Sequence, residues 1–291
     1  MKTLPMRKLT TLVATGVLAS LVGAGTAAAQ TDPVNTAGQQ AQQQVQNSGQ
    51  QAQQLAAPPR GKAAATANPL YKTGTLADSH CSPGSLPKGS TAAYKRFLTK
   101  VTNCLNASWS TQFRKAKLSF SKPRLRIITR KLRTPCGPWS TGADGVYCSV
   151  DRTMYMLVTK TQLRDPFALG ITRLMAHEYG HHVQQISGIW NYYWPARARA
   201  SKAGQLQLSR RSELQAECFS SVFMRTIEDT LPIDPSEWDY TVDWFRKNGG
   251  KAWPQNDHGR GSSQAYWMNR GYGSASPGSC NTWAASPRAV A

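Results

Sequence analysis

The sequence predicts an α+β domain closed by disulfides, with a small sheet laid over a buried helix that carries the chemistry. Three observations lead there. β-branched and aromatic runs between residues 124 and 158 come directly before an apolar segment of helical length. A second helical segment with carboxylates set among apolar residues follows it. All six cysteines, Cys81, Cys104, Cys136, Cys148, Cys218 and Cys280, fall in the same part of the chain. Strands grouped ahead of helices are the order of an α+β domain, not of alternating parallel units.

The chain opens with a targeting pattern. Lys2, Arg7 and Lys8 form a basic head, Leu12 to Val22 an apolar stretch of mostly small residues, and Ala27-Ala28-Ala29 an A-x-A cleavage site before Gln30. Residues 1–29 are therefore expected to be a signal peptide, and the protein to be secreted into an oxidising, extracellular compartment. Residues 30–71 are rich in Gln and Ala and hold almost nothing that could build a core, so a disordered polar arm is expected there. Residues 72–291 suffice for one domain with a substantial core. An even cysteine count in an exported chain predicts three disulfides. Spacing favours Cys136 with Cys148 around a Gly/Pro-rich loop, and Cys81 with Cys104, which leaves Cys218 with Cys280. No C-x-x-C pair exists to suggest a zinc finger.

Helical apolar spacing runs from Ala92 to Phe113 through Tyr94, Phe97, Leu98, Val101, Leu105 and Trp109. Arg124 to Thr129 reads as a strand. Val146 to Val150 and Thr153 to Val158 read as a hairpin about Asp151-Arg152. The next helix carries Leu169, Ile171, Leu174, Met175 and Ala176 on most sides and is expected to be buried. An irregular aromatic stretch, Ile189 to Pro195, separates it from a second helix over about 206–227. Gln255 to Gly261 reads as a loop, with Ser262 capping a short helix through Met268.

The buried helix contains His177-Glu178-Tyr179-Gly180-His181, an H-E-x-x-H motif. Two residues four apart on a helix differ by about 40° and about 6 Å of rise, so both imidazoles can reach one ion. Borderline imidazole ligands suit Zn2+, and a catalytic zinc site takes three protein ligands and leaves a position for water. Glu178 beside them can accept that water's proton. On the second helix Glu213 and Glu217 share a face among Leu214, Ala216, Cys218 and Phe219, where a carboxylate needs a partner. Glu213 is the expected third ligand, and Glu217 the acceptor for the free N–H of a ligating imidazole. Alternatively, both pair with Arg210 and Arg211 on a solvated face. The extended motif with a third histidine is absent, since Gln184 and Ser187 stand where Gly and His would be needed. His182 points about 100° away from His181 and is expected to pack. His258, beside Asp257 on a loop, is a candidate donor to a developing oxyanion. His80 has no partner motif.

Cys136-Gly137, Val146-Tyr147-Cys148, His177 through Gln184, Glu213 through Cys218 and Cys280-Asn281-Thr282-Trp283 together resemble the neutral zinc metallopeptidase family of bacteria, over roughly Thr75 to Trp283. The resemblance implies a zincin-like fold, a glutamate third ligand and peptidase activity. One departure is Glu217, where an aspartate is more usual; the longer side chain must fold back to reach the same imidazole.

Lys and Arg number 35 against 15 Asp and Glu, for a net charge of +20. That charge favours anionic partners such as cell-wall polymers, membrane-surface head groups or acidic substrates. No nucleic-acid-binding motif occurs, so nucleic acid is not an expected partner. The expectation is a secreted zinc metallopeptidase acting on peptide or protein substrates. Its rivals are a basic surface-binding protein with a structural zinc, and a zinc amidase acting on cell-wall peptide.

Overall fold

The computed structural model describes residues 57–140, 142–231 and 234–291. The expected signal peptide and most of the polar arm lie outside them. The end of the arm does not. Ala63–Thr66 form a short helix, α1, and Pro69–Lys72 a 3-10 turn, with Ala64, Ala65, Asn68 and Leu70 fully buried. Asn68 Nδ2 donates to Ala64 O (2.8 Å) and to Ser187 O (3.0 Å), which ties this segment to the middle of the chain. Folded structure therefore begins ahead of the boundary expected at residue 72. Small alanines carry little hydrophobic signal, yet they fill narrow space that the rest of the domain leaves.

Helix α2 (Thr91–Lys115) is capped by Ser90, whose Oγ accepts from Ala93 N (3.2 Å), and it buries the apolar stripe expected of it. Strands β1 (Arg124–Ile128), β2 (Gly145–Cys148) and β3 (Thr153–Leu157) form one sheet in the order β1-β3-β2. β2 and β3 make the expected antiparallel hairpin, with Arg152 at φ +53° in its turn. β1 pairs parallel to β3, which the strand runs themselves did not indicate. Every residue of β3 is buried, whereas Arg124 and Arg126 on β1 are exposed; the uncharged strand takes the centre and the charged one an edge. The Cys136–Cys148 disulfide pins the crossover loop to β2.

After the short α3 (Lys160–Arg164) comes the motif helix α4 (Ala168–Ile186), buried along most of its length. The aromatic stretch after it was expected to be irregular; it is a helix, α5 (Ile189–Arg199). Gly188, at φ +86°, makes the turn between the two helices. Ile189, Trp190 and Tyr193 then bury one face, and that packing outweighs Pro195 inside the helix. The second motif helix is α6 (Lys202–Thr226), and α7 (Pro235–Ala252) follows. α7 was not anticipated, although Asp234 as N-cap, Pro235 at N1 and Glu237 in the first turn are ordinary start signals. The last helix, α8 (Gly261–Ser274), follows Arg260 instead of a Ser262 cap and runs past Met268.

α4, α6 and α8 stack side by side, with β2 against α4, so the sheet does lie over the motif helix. The other two disulfides, Cys81–Cys104 and Cys218–Cys280, complete the expected pairing; the first ties an extended segment to α2 and the second ties α6 to the C-terminal turn. The fold is a mixed α+β domain with a three-stranded sheet and three disulfides. Among the described residues no helix is long and apolar enough to cross a membrane.

Candidate metal centre

Helix α4 presents His177, Glu178 and His181, and α6 presents Glu213 and Glu217. Their approach depends on Gly180 between the two histidines. A Cβ there would sit 3.0 Å from both Cα and O of Ala216, so the two backbones nearly touch. At that separation Glu213 Oε2 lies 3.3 Å from His177 Nε2 and 3.1 Å from His181 Nε2. One ligand atom from each of the three residues falls within 4.8 Å of the others.

The outward ring nitrogens decide what this cluster can hold. His177 Nδ1 is 3.1 Å from Glu217 Oε2, and His181 Nδ1 is 3.0 Å from Gln184 Oε1. The amide of Gln184 is oriented by its own donors, since Nε2 donates to Ser212 O (2.8 Å) and Gln215 Oε1 (3.0 Å). Both Nδ1 atoms therefore face acceptors and keep a hydrogen in either protonation state, so that whenever a ring is neutral its Nε2 lone pair is the one turned inward. Two lone pairs and a carboxylate converging on one point repel one another unless a cation lies between them. Two imidazoles and one carboxylate are also a standard donor set for zinc with an open position. The residues present fit that ion.

The titration behaviour points the same way. Burial by itself would depress His177 and His181, but hydrogen bonds and charge from Glu213, with Glu217 adding to the effect on His177, outweigh it and raise both above the ordinary imidazole value. Burial likewise works to raise Glu213, yet the histidines hold it well below the carboxylate range. The pocket attracts positive charge, and without a metal a proton serves.

Glu178 is buried, and its Oε2 accepts from Tyr147 N (2.6 Å) on the free edge of β2. Gly145 on that strand leaves the room, because a Cβ would lie 3.0 Å from Glu178 Cγ. Tyr147 Oη hydrogen-bonds to His182 Nδ1 (2.9 Å) and to Gln185 Oε1, and His182 Nε2 donates to Ser121 O (2.6 Å). His182 is thus turned away from the cluster, as its helical angle requires. His258 is brought in: Nε2 is 3.5 Å from Glu213 Oε2, Nδ1 is 2.7 Å from Asp257 Oδ1, and the ring stacks on Trp253 at 4.6 Å. His80 is exposed beside Asp78. Arg210 and Arg211 donate to backbone carbonyls of residues 256, 282, 285 and 290, so the solvated pairing with Glu213 and Glu217 does not form.

The sequence model of the family described as "Putative neutral zinc metallopeptidase" matches residues 71–283. The chain belongs to this family. It is 28% identical over 205 residues to the uncharacterized protein YpfJ of Escherichia coli (strain K12), covering 65% of this chain and 71% of that protein. It is also 28% identical over 196 residues to the uncharacterized protein Rv2575 of Mycobacterium tuberculosis, covering 57% of this chain and 64% of that one. No solved structure matches. Membership implies zinc, in agreement with the donor set.

Three contributors escaped the sequence reading: Arg173, which ion-pairs with Glu217; Gln184, which holds His181; and Tyr147, whose main-chain N–H holds Glu178. Arg173 stands four residues before His177 and Gln184 three after His181, so helical spacing places each beside the ring it serves. The Tyr147 contact, a main-chain one, leaves no trace in residue type.

Proposed function

We propose that the chain is a secreted zinc metallopeptidase that hydrolyses peptide bonds in peptide or protein substrates. The observation that carries this reading is the inward convergence of the His177 and His181 Nε2 lone pairs on Glu213, with a buried carboxylate, Glu178, on the same helix. His177, His181 and Glu213 hold the metal, and Glu217 and Gln184 orient the two rings. Zinc, when bound, would supply Lewis acidity towards water and a substrate carbonyl. Glu178, steadied through Oε2 by the Tyr147 N–H, accepts the water's proton and passes it to the leaving amine. His258, with Nδ1–H held by Asp257 and the ring stacked on Trp253, donates from Nε2 to the carbonyl oxygen as negative charge develops there, a role that needs the ring to carry both hydrogens. Three disulfides and the A-x-A pattern support export, and the net charge of +20 supports contact with anionic wall polymers or membrane surfaces.

The test is cleavage of a peptide library by zinc-loaded protein, with and without chelator, beside the Glu178→Gln variant. The variant keeps the shape of the side chain and should hold zinc at wild-type stoichiometry while losing nearly all turnover. Chelator-resistant cleavage, or a variant that cleaves at the wild-type rate, would refute the mechanism. Cleavage of isolated cell wall with no cleavage of peptides would move the substrate to the wall cross-link.

A further inference from the structure

Behind His177, on the side away from the three converging ligand atoms, lies a second charged group that the proposed chemistry does not use. Arg173 sits one turn before His177 on α4, and its side chain is only 12% exposed. Its Nη1 donates to Glu217 Oε2, and its guanidinium carbon lies 4.4 Å from the centre of the Phe245 ring on α7. Ser220 Oγ on α6 donates to the Arg173 carbonyl (2.8 Å). Glu217 Oε2 thus takes two donors, Arg173 and His177 Nδ1, while Oε1 is buried with no partner.

That division of labour is informative. A carboxylate in a dry site is held by its hydrogen bonds, and here every one of them falls on a single oxygen. A glutamate side chain also has enough rotatable bonds to swing away from an imidazole unless a second donor fixes it. Arg173 is that donor. Its planar guanidinium is itself kept in place by the Phe245 face and by burial.

We infer that Arg173 and Glu217 act as one positioning unit for His177: the guanidinium fixes the carboxylate, and the carboxylate fixes the ring with Nε2 towards the metal point. The inference rests on the metal-centre reading above. It also gives α7 a part in the site, through Phe245, although that helix contributes no ligand. Arg173 is a positioning residue and touches neither metal nor substrate. Its cationic charge would on its own weaken binding of a second cation nearby, so the charge effect and the positioning effect have opposite signs. Positioning predicts that removing Arg173 weakens zinc binding; simple charge repulsion predicts that it tightens.

The experiment measures the zinc dissociation constant of the full chain by competition with a chromogenic chelator, alongside ring 15N–1H NMR of the zinc-loaded protein. Arg173→Met should weaken zinc binding by about 10–100-fold, the scale for losing an outer-shell partner, with full stoichiometry still reached in excess zinc. The Nδ1–H resonance of His177 should move with it. Arg173→Lys, which can still place one N–H on Oε2, should recover most of the loss. The double variant Arg173→Met/Glu217→Gln should be little weaker than the weaker-binding of the two single variants, because Arg173 acts through Glu217. Should Arg173→Met fail to fold, the wild type carries the test: zinc titration should shift the guanidinium resonances of Arg173 together with the ring N–H of His177. Unaltered or tighter zinc binding in folded Arg173→Met, additive losses in the double variant, or Arg173 resonances that ignore zinc would each overturn the inference. A wild-type chain that binds no zinc would overturn the metal-centre reading as well, which separates the two failures.

Discussion

Gly180→Ala is a one-carbon change at the point where the two site helices meet, and its effect can be worked from the structure. The new Cβ would lie 3.0 Å from the Cα and O of Ala216 and 3.2 Å from its Cβ. Carbon atoms prefer about 3.5–4.0 Å, so α4 and α6 must separate by a few tenths of an ångström at that level. The obstacle is mostly backbone, which cannot swing aside. Gly180 lies between His177 and His181, and Ala216 between Glu213 and Glu217, so the displacement passes directly into the ligand set. Metal sites tolerate about ±0.2 Å in ligand distance. Overpacking costs about 1–3 kcal/mol, and the better helix propensity of Ala returns about 1 kcal/mol. The metal-free protein should therefore lose at most about 2 kcal/mol, or up to roughly 8 °C in Tm for a domain of this size. Zinc affinity should fall more sharply, by about tenfold or beyond, as it does when ligands are mispositioned. Gly250→Ala is the control, for it lies in α7 with nothing within 4 Å of the added carbon and should stabilise slightly without touching zinc binding. Chelator competition and thermal denaturation of metal-free and zinc-loaded protein would measure both effects. A Gly180→Ala variant with wild-type zinc affinity would refute the view that this contact sets the ligand spacing.

In the metal-free protein His177 and His181 are held above the ordinary imidazole value, so zinc must displace protons. Zinc uptake at neutral pH should release protons to an indicator dye, and apparent affinity should fall about tenfold per pH unit for each proton displaced as pH drops below the raised value; pH-independent affinity between pH 5 and 7 would contradict this. Under competing chelator Glu213→Ala should lose zinc first and Glu217→Ala should still bind it when the metal is in excess, because the first removes a metal bond and the second only the acceptor of a ring N–H. The reverse order would mean that the ligand is one helical turn further on. His258→Ala should lower kcat by about 10²-fold with zinc retained, the scale for loss of one oxyanion donor; an unchanged kcat would leave His258 a packing partner of Trp253.

What could be read from the sequence was whatever obeys the arithmetic of one helix. His177 with His181, and Glu213 with Glu217, are each four apart, so their shared faces are legible in the residue order alone; the hairpin and two of the cysteine pairs followed from short spacing, and Cys218–Cys280, 62 residues apart, was the pair they left. Packing order was not legible. β3 takes the centre of the sheet because all its residues can be buried, and that is settled only when β1 arrives parallel to it from across a loop. Ala64 and Ala65 join the core because their small volume suits the space left beneath α5, a property of the neighbours and not of alanine. The most consequential feature is the least visible one. A His-His-Glu cluster becomes a cation site only if both imidazoles turn their lone pairs inward, and that depends on which atom faces each Nδ1. For His177 the atom is a carboxylate oxygen shared with Arg173. For His181 it is the amide oxygen of Gln184, kept from flipping by Ser212 and Gln215 on the facing helix. Those contacts join residues 28 to 44 positions apart. The motif places the nitrogens, and the packing of α4 against α6 decides which of them can bind a metal.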